Sequence, residues 1–151
     1  MSIVKEIYTD GACRGPQENR IAGAGVFFGD DSEHNITVGV PLNMPQTNQV
    51  AELYAILLCL NKIIEIGDVN TTYKILSDSK YSIKCVTEWI HNWQKNNWKT
   101  SKKEPVKHKD LIKDIYEKLQ IVNVTLEYVP GHSGVYGNEM ADELATHACM
   151  P

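Results

Sequence analysis

No run in this sequence approaches the roughly 18 apolar residues that a membrane-spanning helix needs. The first residues, Met1-Ser2-Ile3-Val4-Lys5-Glu6, lack a basic start followed by a long apolar stretch, so no secretory leader is visible. Cys13, Cys59, Cys85 and Cys149 are scattered, with no Cys-x-x-Cys pair. Zinc spacing is therefore absent, and free thiols in a reducing compartment are expected. These absences imply an intracellular protein with no membrane partner, cytoplasm and nucleus being indistinguishable. Positive charge is also short overall: the formal net charge is -4. Taken as a bulk figure, that argues against a nucleic-acid partner.

The distribution of charge reverses the argument. Residues 80–113 carry nine lysines against Glu88, Glu104 and Asp110, a local net of +6. The remaining residues hold six basic and sixteen acidic side chains, a net of −10. Trp89, Trp93 and Trp98, the only tryptophans, lie in the same basic arm. Lysines beside exposed aromatic rings suit a phosphate track, although a solvated helix with Trp89 and Trp93 packed inward has the same composition. The chain of 151 residues, 42% hydrophobic and 23% charged, fits a single globular domain with a sizeable core.

Apolar periodicity and turn residues divide the chain into β-β-β-α-β-α-α-β-α. A strand is expected over 2–9, closed by a turn at Asp10-Gly11, with a loop over 11–20. Strands over 22–29 and 35–40 follow, joined by a hairpin turn at Asp30-Asp31-Ser32-Glu33. Gly23 and Gly25 in the first of them mark close backbone packing or simply a weak strand. Val50, Leu53, Leu57, Leu60 and Ile64 predict a helix over 48–66, capped by Asn48 and stopped by Gly67. Further elements are a strand over 72–77, a helix over 79–96 with Ile83, Val86 and Ile90 on one stripe, and a basic loop over 97–106. A helix over 109–119, a strand over 122–129 and a helix beginning near Asn138 complete the chain. Early strands in succession imply an antiparallel meander, and later ones joined through helices imply parallel crossovers. The expected fold is α/β: a five-stranded mixed sheet flanked by helices.

Four acidic residues stand out by their settings: Asp10 in Tyr8-Thr9-Asp10-Gly11, Glu52 in Asn48-Gln49-Val50-Ala51-Glu52, Asp78 in Leu76-Ser77-Asp78-Ser79, and Asp142 in Met140-Ala141-Asp142. Each has an ordinary explanation in isolation. Asp10 fits a turn, Glu52 complements a helix dipole, Asp78 fits a cap, and Asp142 fits a solvated helix face. Their places near strand ends and helix starts are where open α/β sheets gather ligands. Two unit negative charges about 5 Å apart repel by roughly 3 kcal/mol at an effective dielectric near 20. Four carboxylates in one pocket would therefore take up protons or cations, and a divalent metal is the natural partner.

The motifs around these acids run in order along the chain. They are Tyr8-Thr9-Asp10-Gly11-Ala12, Gly23-Ala24-Gly25-Val26, Thr47-Asn48-Gln49-Val50-Ala51-Glu52-Leu53, Ser77-Asp78-Ser79-Lys80-Tyr81, Val129-Pro130-Gly131-His132-Ser133-Gly134, and Gly137-Asn138-Glu139-Met140-Ala141-Asp142-Glu143-Leu144-Ala145. From about residue 3 to 148 they resemble the type 1 ribonuclease H family. Trp89-Ile90-His91-Asn92-Trp93 with Asn97-Trp98-Lys99-Thr100-Ser101 resembles the basic protrusion of its cellular members.

The resemblance implies a ribonuclease H-like fold and hydrolysis of the RNA strand of RNA–DNA hybrids, leaving 5′-phosphate and 3′-hydroxyl ends. It implies that Asp10, Glu52, Asp78 and Asp142 bind two Mg²⁺, with Mn²⁺ as a substitute. One metal would prepare the attacking hydroxide and the other would stabilise the leaving oxygen. His132, in a glycine-flanked loop, would assist proton transfer or product departure. Thr47, Asn48 and Gln49 would contact the substrate, the threonine at a DNA-strand phosphate, while also serving a helix N-terminus. Trp89 and Ser101 would line the DNA-strand channel, with Lys99 beside them.

Two departures from the family pattern are visible. His108 stands where cellular members often carry asparagine, though it can still donate to a phosphate. The loop 13–19 lacks the asparagine some relatives place shortly after Asp-Gly, leaving the Cys13 backbone and Arg14 for RNA 2′-hydroxyls. Residues 1–151 are expected to form one catalytic domain, monomeric, without a separate hybrid-binding domain. A DNA-cutting enzyme of related fold and a non-catalytic hybrid-binding module are the competing readings. The first does not predict the histidine loop and Trp/Lys arm together, and the second gives no reason for four acids.

Overall fold

The computed structural model describes residues 3–150, so Ser2, at the start of the first expected strand, lies outside the described residues. Among them, five strands form one sheet in the order β3-β2-β1-β4-β5. β1 (Ile3–Arg14), β2 (Ile21–Phe27) and β3 (Ile36–Gly39) make the antiparallel meander. β4 (Thr71–Ser77) and β5 (Val124–Tyr128) add in parallel beside β1. The helices are α1 (Asn48–Ile66), α2 (Lys80–Lys84), α3 (Ile90–Lys95), α4 (Lys109–Leu119) and α5 (Tyr136–Ala148). The α/β fold with a five-stranded mixed sheet is the expected one.

Two glycine positions set how closely helices sit on this sheet. A Cβ on Gly11 would lie 2.5 Å from the backbone nitrogen of Glu52 and 2.6 Å from the carbonyl carbon of Ala51. On the neighbouring strand, a Cβ on Gly25 would strike the Ala141 carbonyl and lie 2.6 Å from the Ala145 nitrogen. Gly25 pairs with Asp10, one residue before Gly11, so the two glycines face opposite sides of the sheet. α1 therefore presses on one face and α5 on the other. Gly23 and Gly25 are there for close packing; the strand is not weak.

Between α1 and the sheet, Ile7, Leu53, Ile56, Leu60 and Ile75 are fully buried, and Ile90, Ile112 and Ile115 extend the same core toward α3 and α4. Each such side chain contributes about 1.5–3 kcal/mol relative to exposure. The predicted α1 stripe holds at Val50, Leu53, Leu57 and Leu60, but Ile64 is 37% exposed and Ile63 takes the inward place. α1 is also covered on more than one side, with Ala51, Ala55, Ile56 and Cys59 buried as well.

Several expected boundaries move. β1 does not stop at Asp10-Gly11: its pairing with β2 continues to Arg14↔Ile21, so Asp10 sits inside a strand. Its parallel pairing with β4 ends at Thr9↔Ser77, which still puts Asp10 just beyond the last β1–β4 pair. The expected loop over 11–20 shrinks accordingly and contains a 3₁₀ turn at Gln17–Asn19. The cap of α1 is Thr47 rather than Asn48, because the Thr47 hydroxyl accepts from the Val50 N–H at 3.2 Å. Gly67 ends the helix as expected, at φ 68°, in the left-handed region a glycine enters freely. The expected helix over 79–96 is interrupted by a π-helical stretch, Cys85–Trp89, between α2 and α3. The last helix starts at Tyr136, two residues earlier than expected. The four cysteines are free thiols. No described helix is long and apolar enough to cross a membrane.

Candidate active site

Asp10 comes from β1, Glu52 from the second turn of α1, and Asp78 from the residue after β4. One carboxylate oxygen of each lies within 4.8 Å of the other two. Asp142, on α5, lines the same cleft of about 410 Å³ without joining that tight group. The convergence has a topological cause: β1 and β4 are adjacent and parallel, so their carboxyl ends meet; α1 begins beside that edge, and α5 passes it with Asp142 and Thr146 facing the cleft.

The electrostatics are those of acids held without enough solvent. Burial raises the pKa of Asp10 to about 8; a hydrogen bond with Glu52 opposes the rise, and the charges of Asp78 and Asp142 add to it. Glu52 is raised well above the carboxylate range, first by burial and then by the charge of Asp10. Its Oε1 is buried with no hydrogen-bond partner among the described residues. Asp10 is only 4% exposed, and its Oδ1 accepts from the Gly11 N–H at 2.9 Å. A divalent cation would satisfy the orphaned oxygen and favour the ionised forms together, so the donor set suits a hard, oxygen-liganded metal.

Asp78 is held from two sides. The Asn138 Nδ2 donates to its Oδ2 at 3.3 Å, and Asn138 is itself 2% exposed. Gly131 approaches so closely that a Cβ there would lie 2.5 Å from Oδ2. The sequence places both residues inside motifs but assigns neither a role. The one available signal is a polar residue at the start of an otherwise apolar-facing helix, which does not name its partner.

The remaining predicted residues divide into two groups. Cys13, Arg14, Asn48 and His132 line the acidic cleft. His132 is exposed at φ 53°, in the loop between β5 and α5. Thr47 is half-buried as the α1 cap, and Gln49 is exposed beside Asn48.

Trp89, Lys99, Ser101 and His108 belong to the basic arm instead. Trp89 is 38% exposed, edge-on to Tyr81 and 6.0 Å from Trp93. Trp98 turns inward at 9% exposure and lies 5.7 Å from Trp93, so the arm is not a row of free aromatic rings. Ser101 is exposed and Lys99 half-buried. His108 stands at the residue before α4 with φ 64°, a conformation asparagine and histidine tolerate better than most residues, which accounts for the exchange seen in the sequence. Burial, with Lys107 beside it, lowers the pKa of His108.

The sequence model of the RNase H family matches residues 3–150. The chain belongs to the RNase H family. It is 46% identical over 140 residues to a ribonuclease H of Schizosaccharomyces pombe, covering 92% of this chain and 50% of that protein. It is 40% identical over 146 residues to a ribonuclease H of Pseudomonas fluorescens, covering 96% of this chain and 91% of that protein. Thus the chain spans about half the length of the first curated relatives it matches. A solved structure of the foamy viral protease-reverse transcriptase in complex with RNA/DNA hybrid superposes with a TM-score of 0.78 at 26% identity, covering 96% of this chain and 20% of that one. These likenesses agree with the α/β architecture described above.

Proposed function

We propose that residues 3–150 form a single catalytic unit that hydrolyses the RNA strand of RNA–DNA hybrids endonucleolytically, leaving 5′-phosphate and 3′-hydroxyl ends. The observation that carries this reading is the Asp10–Glu52–Asp78 group, three carboxylates from three elements within 4.8 Å of one another, in a member of the RNase H family. Two relatives are named ribonuclease H, and a neighbour of the same fold was solved with RNA/DNA hybrid.

In this reading Asp10, Glu52 and Asp78 are metal ligands, and Asp142 completes the set from across the cleft. Bound Mg²⁺, two ions with Mn²⁺ as a substitute, supplies charge stabilisation at the scissile phosphate and its leaving oxygen. The protein's own groups do the positioning. Asn138 holds the Asp78 carboxylate at a fixed rotation, and Gly131 leaves room for it. His132, exposed on its loop at the cleft, exchanges protons with attacking water or departing product. Cys13 and Arg14 meet the RNA strand; Thr47, Asn48 and Gln49 meet the minor groove and a DNA phosphate, aided by the N-terminus of α1. Trp89, Lys99, Ser101 and His108 track the DNA strand, where the lysines supply salt-sensitive attraction. The active species is a monomer acting inside the cell.

The test compares an RNA–DNA hybrid, duplex RNA and duplex DNA as substrates, each with Mg²⁺ or with chelator. Cutting confined to the RNA of the hybrid, dependent on metal and abolished by Asp10→Asn with binding retained, is the expected result. Equal cutting of duplex DNA would instead place the chain with DNA-cutting enzymes of this fold, and binding without cutting would make it a passive module.

A further inference from the structure

Gln46, the residue before the α1 cap, ties together segments that are far apart in the chain through a single side chain. Its Oε1 accepts from the Ala22 N–H at 2.8 Å. Its Nε2 donates to the carbonyls of Val40 at 3.2 Å, Pro41 at 3.0 Å and Met44 at 3.1 Å. Its own carbonyl accepts from the Cys13 thiol at 3.3 Å. One amide therefore fastens the start of β2, the end of β3 and the following turn to the N-terminus of α1, while its backbone fastens the end of β1. Ala22 is fully buried, so its N–H has no water to turn to if the amide is removed.

The segments so joined carry the two sides of the proposed substrate groove. The amide holds Ala22, which pairs with Cys13 across β1 and β2, so Cys13 and Arg14 lie at one end of the clamp, and Thr47, Asn48 and Gln49 at the other. We infer that Gln46 is a positioning residue that sets the separation between RNA-strand and DNA-strand contacts, and thereby the minor-groove width the protein accepts. This rests on the function proposed above. Duplex RNA presents a wide, shallow minor groove and B-form DNA a narrow one, so contacts held at a fixed span discriminate between duplexes without reading sequence. The amide faces backbone carbonyls rather than the carboxylates, so the clamp acts on binding and not on the chemical step.

The experiment measures steady-state cleavage of a hybrid by wild type and Gln46→Leu, with duplex RNA of the same sequence as competitor. It is run at a temperature where both proteins give the same folded circular-dichroism signal. The KM for hybrid should rise about tenfold, kcat should stay within about twofold, and the preference for hybrid over duplex RNA should fall about fivefold. An unchanged KM and preference with only a lower Tm would make Gln46 a stability residue and overturn the inference. A fall in kcat at constant KM would overturn it too. If Gln46→Leu does not fold, Gln46→Asn, one methylene too short to span all four partners, is read by the same ratio. Failure of wild type to cut the hybrid would instead sink the proposed function, and the same assay reveals which of the two has failed.

Discussion

Asn138 reaches across 60 residues of chain to donate its Nδ2 to Asp78 Oδ2 at 3.3 Å, joining the first turn of α5 to the end of β4. An exposed asparagine would gain little from such a bond, but this one is 2% exposed. Outer partners of metal-binding carboxylates usually matter by about 10- to 100-fold in activity or metal affinity. Asn138→Ala should lower kcat by about that factor with little change in the KM for hybrid. Asn138→Asp should be worse, because it adds a buried negative charge beside Asp78. Equal losses in kcat and hybrid affinity for both variants would show that the whole cleft had shifted.

Gly131 offers a second route to the same carboxylate. A methyl group there would lie 2.5 Å from Asp78 Oδ2 and 3.2 Å from its Cβ and Cγ. Gly131→Ala should turn Asp78 away from Asp10 and Glu52 and cost at least about tenfold in kcat. Hybrid binding in chelator should be unaffected, as measured by fluorescence anisotropy. A fully active Gly131→Ala would show that Asp78 is free to move.

Protonation makes the metal-free protein's stability depend on pH. Asp10 is raised from 3.8 to about 8, so the folded state binds a proton that the unfolded state has released. Stability is then greatest below the unfolded value and declines as pH rises through about 8. Glu52 is shifted in the same direction. In chelator, Tm should fall across that window; saturating Mg²⁺ should remove the slope by favouring the ionised carboxylates. Asp10→Asn, which has no carboxyl proton to lose, should make the chelator curve shallower, with the remaining slope carried by Glu52. Melts followed by circular dichroism decide the matter, and a pH-independent Tm in chelator would refute the buried-proton account.

Lys99, Lys102 and Lys103 lie in the arm, the last two exposed. Replacing all three by alanine should weaken binding of an inactive Asp10→Asn protein to hybrid. The slope of log Kd against log salt should fall by roughly one for each phosphate that is no longer neutralised. Cleavage at saturating hybrid should keep its kcat. An unaltered salt slope would mean that the arm does not touch the nucleic acid.

The seat of α5 can be tested without substrate. Gly25→Ala places a methyl group 2.6 Å from the Ala145 nitrogen and 2.9 Å from the Leu144 Cβ. Overpacking of this kind costs about 1–3 kcal/mol, so urea denaturation should show a lower midpoint. The loss should exceed that of Gly29→Ala in its effect through crowding, because a Cβ at Gly29 meets nothing within 4 Å, although its φ of 153° adds some backbone strain.

α1 and α4 span the residues expected of them, because the apolar repeat and, for α1, the Gly67 stop act within a few residues of chain. Asp10 illustrates the limit of such reading. Asp-Gly is a strong turn signal in isolation, yet β2 continues to pair with β1 through Arg14 and holds both residues in a strand. The π-helical stretch at Cys85–Trp89 likewise leaves no mark in the spacing of Ile83, Val86 and Ile90. Trp98 reads like the other two tryptophans of the arm, but a positive φ of 58° accompanies its inward turn against Trp93.

The acids themselves were nameable from their motifs, and so was the family they belong to, because both are written in short stretches of residue type. Their separation was not, nor were the amide of Asn138 on Asp78, the space left by Gly131, or the clamp of Gln46. Those depend on parallel pairing of β1 with β4 and on two helices pressed against opposite faces of one sheet. Local chemistry selects helix, strand and turn over a few residues. Only packing, in which a missing Cβ lets one backbone reach another, decides which distant side chains come within bonding distance.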